Sequence, residues 1–510
     1  MANNLITRLD QVAQANLTQV AYDELGTTHT YQDLLTYTNA FAAWLDQQST
    51  IAAGSPILYY GDHQFEMAAG FIGGAKAGHP YIPVEVGTAL PRLQSIIKTA
   101  QPQLVVAIDD FPANDVDFTG QILTLADLRQ IMTTPATYTP THALTGDDTF
   151  YILFTSGTTG SPKGVEVTHN NIQSFADWMM GPAFNLPTAT KYLGQAPFSF
   201  DISHFYWLVG LLTGSTIKAV PLATVQNFGQ LFKVLPDLDF NVFVGTPSFA
   251  DMLLLSPDFN AAKMPQLTHM VFCGEELTPS TVKRLFAKFP AVKIFNTYGP
   301  TEAAVAITSC EITKEMAETL KRLPIGVDKP GVTTSIWDGD QPITTPNVHG
   351  EIVISGDSVA KGYLHNPEKT AQNFFKVNGV QSYRTGDAGF IDEAGVRHII
   401  GRMDFQIKLH GFRVELDEVR SSLELSPLVK QAVAVPKYDK NGKASHLIAY
   451  VIAEANDYAT PAELTKAIRL SLKDQIMDYM MPTQFVYVDH FPKSANGKIA
   501  VKQIIAEANQ

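Results

Sequence analysis

A stretch rich in glycine and hydroxyl residues, close to residue 160, has the composition of a phosphate-binding loop. It follows directly on an apolar run over residues 150–154, which predicts a buried strand. Glycines let backbone N–H groups converge on a ligand, hydroxyl groups add neutral donors, and a lysine adds positive charge. We expect a polyphosphate site rather than a flexible linker, because a solvated linker rarely follows a buried strand directly. The residues concerned are Thr155, Ser156, Gly157, Thr158, Thr159, Gly160 and Lys163.

A second motif covers residues 296–302 and follows an apolar run that ends at Phe295. A side-chain amide, a flat aromatic ring and a Gly-Pro turn suit a planar heterocycle, with Tyr298 stacking and Asn296 hydrogen-bonding. Glu302 offers a hard oxygen ligand for Mg²⁺. The competing interpretation is a plain strand-to-helix turn with Glu302 near the helix start. The motif consists of Asn296, Thr297, Tyr298, Gly299, Pro300, Thr301 and Glu302.

Two later segments carry one carboxylate and two lysines. Asp387 follows a glycine and could accept both hydroxyls of a ribose, a use that acidic residues have in dinucleotide-binding folds. In isolation, however, Thr-Gly-Asp favours a hairpin turn. Lys493 and Lys498 lie in a glycine-containing segment near the end of the chain, and we interpret Lys493 as a solvated surface charge.

In their order along the chain, these motifs resemble those of the adenylate-forming superfamily, which includes acyl-CoA synthetases, luciferases and peptide-synthetase adenylation domains. Its members join a carboxylate to AMP, release pyrophosphate, and then pass the acyl group to a thiol. The resemblance covers roughly residues 150 to 500 and implies ATP and Mg²⁺ as cofactors.

The resemblance also implies a role for each motif. Residues 155–160 and Lys163 would hold the phosphates, with Thr155 among the catalytic residues, and Asn296 to Thr301 would hold adenine. Asp387 would bind ribose, which reverses the preference for a hairpin turn, and Glu302 would hold the magnesium ion. Lys498 would bridge the substrate carboxylate and the α-phosphate, stabilising charge electrostatically. Gly401 and Arg402 would reach ribose or phosphate, and Asp404 would be the hinge of a domain rotation.

The acid that is activated depends on Asp201, Cys273 and Val305. In superfamily members that activate amino acids, an Asp in the position of Asp201 binds the α-ammonium group, and a buried carboxylate without such a partner would be costly. Asp201 could instead cap the helix that begins near Ser203. A thiol at Cys273 would narrow the pocket and favour a very small side chain, although Cys273 could also be an inert buried residue. Together with Val305 and residues 408–414, the pocket resembles that of members that activate D-alanine.

This resemblance implies an activity and a partner. D-alanine would be converted to D-alanyl-AMP and transferred to the phosphopantetheine thiol of a small acidic carrier protein, for D-alanylation of teichoic acid in Gram-positive bacteria. Residues 406–418 resemble the segment that lines the pantetheine tunnel during transfer. Two alternatives remain: an adenylation enzyme for another small amino acid or short acid, and a non-catalytic nucleotide-binding protein of the same fold. Retention of Lys163, Glu302, Asp387 and Lys498 counts against the second alternative.

Composition excludes several other classes of protein. Hydrophobic residues make up 45% of the chain and charged residues 17%, which is typical of a soluble globular protein. The net charge of −13 argues against a nucleic-acid partner, although residues 402–510 are nearly neutral. The first residues lack the pattern of a signal peptide, and the densest apolar stretch, residues 205–212, is too short to span a membrane. Two cysteines suit a reducing compartment, so we expect a cytoplasmic protein without stable membrane insertion.

The order of predicted elements indicates an α/β fold. Strands and helices alternate over the first 300 residues, which predicts mostly parallel sheets covered by helices. From about residue 325 to 401 short strands broken by glycines predict a β-rich subdomain. A small, mobile α+β domain follows over residues 402–510, with helices predicted at 415–425 and 462–479. We therefore expect a large domain over residues 1–401 and a small one over 402–510.

Overall fold

The computed structural model describes residues 4–155, 162–403, 406–439, 442–473, 475–492 and 499–510. The chain divides into two compact units. One comprises residues 1–86, 97–154 and 164–401, and the other comprises residues 87–96, 155–163 and 402–510.

The first sheet is mostly parallel and carries the strand that leads into the predicted phosphate loop. Parallel pairing joins its central strands, which are rich in aromatic and β-branched residues and largely buried, as expected where both faces of a sheet are covered. Its order across the sheet is β19 (Gly362–Tyr363), β8 (Lys163–Thr168), β7 (Thr149–Thr155), β4 (Tyr81–Glu85), β3 (Ile57–Gly61), β5 (Leu104–Ala107) and β6 (Gln121–Thr124).

The second sheet has nine strands and carries the predicted adenine motif. Six of its neighbouring strands pair in parallel, and the three strands at its edges pair antiparallel. The order is β15 (Val327–Asp328), β14 (Thr308–Ile312), β13 (Lys293–Tyr298), β12 (His269–Phe272), β11 (Val242–Gly245), β9 (Lys191–Gly194), β10 (Thr216–Ala219), β1 (Val20–Glu24) and β2 (Thr27–Thr30).

A third, antiparallel sheet forms the β-rich region. Its longest strand bears Asp387, and β22 (Arg397–Arg402) also pairs with that strand. The order is β17 (Gln341–Ile343), β16 (Val332–Asp338), β18 (Gly350–Gly356), β21 (Val380–Ile391) and β20 (Phe374–Val377), with β22 (Arg397–Arg402) beside β21.

Helices connect the strands, and several begin at a side chain that caps the first backbone N–H groups. Thr30, Thr124 and Thr168 each form a reciprocal capping box with the residue three positions later. The helices up to residue 373 are α1 (Leu5–Ala15), α2 (Tyr31–Leu45), α3 (Phe65–Lys76), α4 (Leu90–Ala100), α5 (Leu125–Met132), α6 (His169–Met179), α7 (Trp207–Leu212), α8 (Leu222–Gln226), α9 (Phe228–Val234), α10 (Pro247–Leu253), α11 (Pro279–Lys288), α12 (Lys314–Thr319) and α13 (Pro367–Asn373).

The second unit is a compact α+β fold with its own apolar core. Val414, Val419, Leu447, Ile468 and Leu472 are among the buried residues of that core. Its strands and helices are the hairpin β23 (Gln406–Leu409) and β24 (Phe412–Glu415), the sheet β25 (Val429–Tyr438), β26 (Ala444–Ala453) and β27 (Gln484–Tyr487), and α14 (Leu416–Leu423), α15 (Pro461–Ser471) and α16 (Val501–Ala508).

The predicted α/β class, with parallel sheets, a β-rich region and a small α+β C-terminal part, is confirmed. The helix predicted over residues 462–479 is too long, because α15 ends at Ser471 and a 3₁₀-helix, Asp478–Met480, follows. Leu472, Ile476 and Met480 have the spacing of one face of a helix. All three are buried in the core, although α15 ends before them. No helix among the described residues is long and apolar enough to cross a membrane.

Candidate active site

The adenine motif lies at the carboxyl end of β13, where parallel sheets place their ligand sites. The Asn296 amide donates to the carbonyl of Pro324 at 2.7 Å, and the Thr297 hydroxyl donates to the carbonyl of Phe272 at 2.8 Å. Both residues are buried. These hydrogen bonds fix the end of β13 against neighbouring chain segments. The turn at Gly299 and Pro300 follows directly in the chain.

Tyr298 and Asp387, which were predicted to contact adenine and ribose, lie side by side. The Tyr298 hydroxyl donates to Asp387 Oδ2 at 2.5 Å, and the Asp387 backbone N–H donates to the Thr385 hydroxyl at 2.9 Å. The two residues come from different sheets, since Tyr298 ends β13 and Asp387 lies within β21. An aromatic ring, which suits a planar base, and a carboxylate, which suits two ribose hydroxyls, are thus held next to each other. This arrangement fits a nucleoside.

Glu302 lies in a 3₁₀-helix, Thr301–Ala303, that follows this turn and is fully buried. Its Oε1 accepts a hydrogen bond from the Tyr363 hydroxyl at 2.9 Å, and its backbone carbonyl accepts one from the N–H of Ala360. A magnesium ion usually binds one or two carboxylates and completes its shell with water and substrate phosphates. One fixed carboxylate beside a nucleotide motif fits that requirement, although no cluster of three His, Cys, Asp or Glu side chains occurs among the described residues.

The predicted substrate residues Cys273 and Val305 are in contact. The Cys273 thiol lies 3.9 Å from the Val305 carbonyl oxygen, to which it donates, and both residues are buried. Ala304 and Val305 both have left-handed backbone conformations, with φ of 48° and 74°. Such conformations are uncommon for residues other than glycine and are often found at functional sites.

Gly299 allows this strained segment to lie close to the adenine motif. A Cβ atom at Gly299 would lie 2.5 Å from the Cα of Ala306 and 2.8 Å from the carbonyl oxygen of Val305. Both neighbours are backbone atoms and cannot turn aside as a side chain could. The turn that is predicted to bind the base and the wall that is predicted to contact the substrate are therefore packed against each other directly.

Asp201 is half-buried and is the first residue of a 3₁₀-helix, Asp201–Phe205. The following helix, α7, begins at Trp207, and its N-cap residue is Tyr206, whose side chain makes no capping hydrogen bond. The alternative interpretation concerns the helix near Ser203, which is this 3₁₀-helix, and its N-cap residue is Phe200 rather than Asp201. Within the same turn, the His204 ring donates to the backbone carbonyl of Asp201 at 2.8 Å.

The remaining predicted residues are described only in part. Thr155 ends β7, and its buried hydroxyl has no hydrogen-bond partner among the residues that the structure describes, which fits a group reserved for a ligand. Lys163 begins β8, and Gly401 and Arg402 end β22. The predictions for Ser156, Gly157, Thr158, Thr159, Gly160, Asp404, Lys493 and Lys498 lie outside the described residues.

Sequence reasoning missed the residues that hold the predicted ones in place. These residues are Tyr363, which contacts Glu302, and His204, which contacts Asp201. Tyr363 lies 61 positions after Glu302 in the chain, so only the fold brings them together. His204 lies three positions after Asp201, and that helical spacing beside a predicted substrate residue was a signal that could have identified it.

The residues predicted to bind the nucleotide, the metal ion and the substrate are carried by one α/β scaffold, and comparison with known protein families defines the class of protein. The model of the AMP-binding enzyme family matches residues 9–364, and the model of its C-terminal domain matches residues 418–498. The chain belongs to the AMP-binding enzyme family.

Full-length relatives narrow the comparison. The chain is 45% identical over 509 residues to the D-alanine–D-alanyl carrier protein ligase of Lactiplantibacillus plantarum, with all of both chains covered. It is 44% identical over 513 residues to the ligase of the same name from Streptococcus pyogenes serotype M49, again with complete coverage of both.

Solved structures share the fold. The Vibrio cholerae adenylation domain AlmE, in complex with glycyl-adenosine-5′-phosphate, aligns with a TM-score of 0.80 at 20% identity, covering 99% of this chain and 97% of that one. Holo-PA1221, an NRPS protein containing adenylation and PCP domains, aligns with a TM-score of 0.82 at 23% identity, covering 99% of this chain and 84% of that one.

Proposed function

We propose that the protein is a D-alanine–D-alanyl carrier protein ligase. It joins the carboxylate of D-alanine to AMP, releases pyrophosphate, and transfers the D-alanyl group to the phosphopantetheine thiol of a small acidic carrier protein. The observation that carries the proposal is the similarity, over the complete length of the chain, to ligases of this name. The hydrogen bonds of Tyr298 with Asp387 and of Tyr363 with Glu302 support the adenylation half of the reaction.

In this proposal the nucleotide is held from several sides. Tyr298 stacks on adenine, Asn296 hydrogen-bonds its edge, and Asp387 accepts the ribose hydroxyls. The glycine-rich residues 155–160, with Lys163, receive the phosphates, and Gly401 and Arg402 reach the ribose or the α-phosphate. Magnesium, held by Glu302, neutralises charge on the phosphates when it is bound.

Lys498 supplies the positive charge for the chemical step. Carboxylate attack on the α-phosphorus of ATP builds negative charge on the phosphoryl oxygens while the bond to pyrophosphate breaks. An ammonium group between the attacking carboxylate and the α-phosphate stabilises that charge without forming a covalent bond. Thr155 would act with it as a hydroxyl donor to phosphate, and Glu302 would contribute by holding the magnesium ion.

The substrate pocket selects a very small amino acid. Asp201 receives the α-ammonium group, and Cys273 and Val305 form a wall that leaves room for little more than a methyl group. The contact between the Cys273 thiol and the Val305 carbonyl supports this role, because it closes the wall behind the substrate. An acid without an ammonium group would leave the Asp201 carboxylate desolvated without compensation.

The biological setting follows from the activity. A ligase of this kind loads the carrier in the cytoplasm and provides D-alanine for the decoration of teichoic acid. Residues 1–401 form the adenylation domain and residues 402–510 the mobile small domain, with Asp404 as the hinge. Residues 406–418 line the pantetheine tunnel in the second half-reaction.

A panel of substrates tests the proposal. ATP–pyrophosphate exchange is measured with D-alanine, L-alanine, glycine, propionate and a long-chain fatty acid, and loading of a phosphopantetheinylated carrier is followed by intact mass. We expect exchange to be strongest with D-alanine, weaker with glycine or L-alanine, and negligible with both acids that lack an ammonium group. Preference for an acid without the ammonium group would reject the amino-acid assignment, and absence of exchange with every acid would favour a non-catalytic nucleotide-binding protein.

A further inference from the structure

His204 makes two hydrogen bonds that tie the turn bearing Asp201 to the first sheet. One ring nitrogen, Nδ1, lies 2.8 Å from the backbone carbonyl oxygen of Asp201. The other, Nε2, lies 2.6 Å from the hydroxyl of Tyr81. The histidine is fully buried, and so is Tyr81, the first residue of β4.

The partners determine the tautomer of the ring. A carbonyl oxygen can only accept a hydrogen bond, so Nδ1 carries the hydrogen and donates to Asp201. Nε2 of the neutral ring is then an acceptor, and the Tyr81 hydroxyl donates to it. Each nitrogen therefore has the partner that its protonation state requires, and the Tyr81 hydroxyl holds His204 in the form that can donate to the Asp201 carbonyl.

The surroundings keep the ring uncharged and fixed in orientation. The ring of Tyr151 stacks on His204 with centroids 4.5 Å apart, and the indole of Trp207 lies 5.5 Å away. Burial in this aromatic environment lowers the pKa of His204 to about 4. No positive charge therefore arises beside Asp201 at neutral pH, where it would compete with a cationic substrate group for that carboxylate.

The same contacts link the substrate turn to the strand that leads into the phosphate loop. Tyr81 of β4 is the register partner of Tyr151 of β7, and β7 continues directly into the glycine-rich residues. Asp201, by contrast, follows β9 of the nine-stranded sheet. His204 is the point at which the turn from one sheet contacts adjacent strands of the other.

We propose that His204, held in its Nδ1–H tautomer by Tyr81, is a positioning residue that fixes the Asp201 turn and thereby determines affinity for the ammonium group of the amino-acid substrate. This inference rests on the proposed function, in which Asp201 receives that group. His204 does not touch the substrate and acts through the backbone of Asp201.

The test measures the KM for D-alanine and the KM for ATP separately. His204→Leu removes the donor to Asp201 and leaves the Tyr81 hydroxyl without its partner, so the KM for D-alanine should rise roughly tenfold, the effect of one net hydrogen bond. The KM for ATP should stay within about twofold. His204→Asn places an amide N–H near the position of Nδ1 and should restore most of the affinity for D-alanine. Tyr81→Phe keeps the ring and should cause a smaller rise, because the donor to Asp201 remains.

His79→Leu is a matched control. His79 is also buried, and its Nδ1 also lies 2.8 Å from a backbone carbonyl oxygen, that of Ser55. Among the residues that the structure describes, His79 makes no hydrogen bond to the Asp201 turn. Its loss should leave both KM values unchanged. If His204→Leu raises the two KM values equally, or if His204→Asn fails to restore the affinity while remaining folded by circular dichroism, the positioning role is wrong.

Asp201→Asn separates this inference from the proposed function. If Asp201→Asn leaves the KM for D-alanine unchanged, the ammonium role of Asp201 in the proposed function fails, whereas activity with D-alanine itself is decided by the substrate panel. If Asp201→Asn raises that KM but His204→Leu does not, only the positioning role fails. In the double variant, His204→Leu should add no further rise, because the carboxylate that it positions is already absent.

Discussion

At the scale of single residues, the pair Tyr298–Asp387 gives one side chain two functions. In the proposed function the ring of Tyr298 stacks on the base, while its hydroxyl donates to the carboxylate that would receive the ribose. The backbone N–H of Asp387 also donates to the hydroxyl of Thr385, so that both the backbone and the side chain of Asp387 are fixed. A carboxylate fixed in advance loses less conformational entropy when the nucleoside binds.

Tyr298→Phe separates these two functions. The ring remains, but Asp387 loses a hydrogen bond to a charged acceptor, an interaction worth about 1.5–3 kcal/mol. We expect the KM for ATP to rise roughly tenfold or more, with little change in kcat at saturating ATP. Tyr59→Phe, which removes a buried hydroxyl bonded to the carbonyl of Gly70, is the control and should leave the KM for ATP unchanged. An unchanged KM in Tyr298→Phe would mean that Asp387 needs no such support.

Lys498→Ala tests catalysis rather than binding. Removal of a preorganised charge from the transition state costs roughly 3–4 kcal/mol, so single-turnover formation of D-alanyl-AMP should slow by two to three orders of magnitude. Binding of ATP should change little, because Tyr298 and Asp387 still hold the nucleoside. Lys493→Ala lies in the same segment and should behave almost as the wild type. Near-normal adenylation in Lys498→Ala would assign the catalytic cation elsewhere, with Lys163 as the next candidate.

At the scale of elements, the end of β13 and the segment that follows it act as one packed unit. The Cβ of any residue other than glycine at position 299 would overlap the backbone of residues 305 and 306. This contact joins the base-binding turn to the wall formed by Cys273 and Val305. A change on one side of the contact must therefore displace the other.

Gly299→Ala should expose this coupling. Overpacking against backbone costs about 1–3 kcal/mol, and the displacement should raise the KM for D-alanine as well as the KM for ATP. Gly229→Ala in helix α9 is the control, because an added Cβ there meets only the side chain of Asn227, at 3.4 Å. Thermal unfolding and both KM values would be measured for each variant. A rise in the KM for ATP alone would show that the two halves of the site respond independently.

The elements were largely predictable from the sequence, whereas the contacts between them were not. Apolar runs and turn residues indicate where strands begin and end, so the strands around residues 57, 104 and 294 were found. Leu472 and Ile476 are buried and have the spacing of a helix face, although they lie beyond the end of α15. The sequence therefore predicts a helix that is longer than α15. Tyr363 and Tyr81 could not be identified, because their partners are distant in the chain and follow strands of the other sheet, so that only tertiary packing brings them together.

At the scale of the whole molecule, the two half-reactions need different groups at one site. In the proposed function, adenylation uses Lys498, whereas transfer to the carrier uses the residues around the β23–β24 hairpin, Gln406–Glu415, which lie in the same part of the chain. Two compact units are present, and the first ends at Gly401 while the second resumes at Arg402. We therefore place the rotation that exchanges these groups at Asp404, two residues beyond that division.

Asp404→Pro should stop the exchange, because proline fixes φ near −65° and removes the backbone N–H. We expect formation of D-alanyl-AMP, measured by pyrophosphate release, to survive, while transfer of D-alanine to the carrier thiol falls by at least tenfold. Asp404→Ala removes the same carboxylate but leaves the backbone free, so it should retain both activities. Carrier binding should weaken with added salt in every variant, since an acidic carrier would dock on the nearly neutral small domain rather than on the acidic remainder. Equal loss of both half-reactions in Asp404→Pro would make that residue structural, and the rotation would then have to occur at another position.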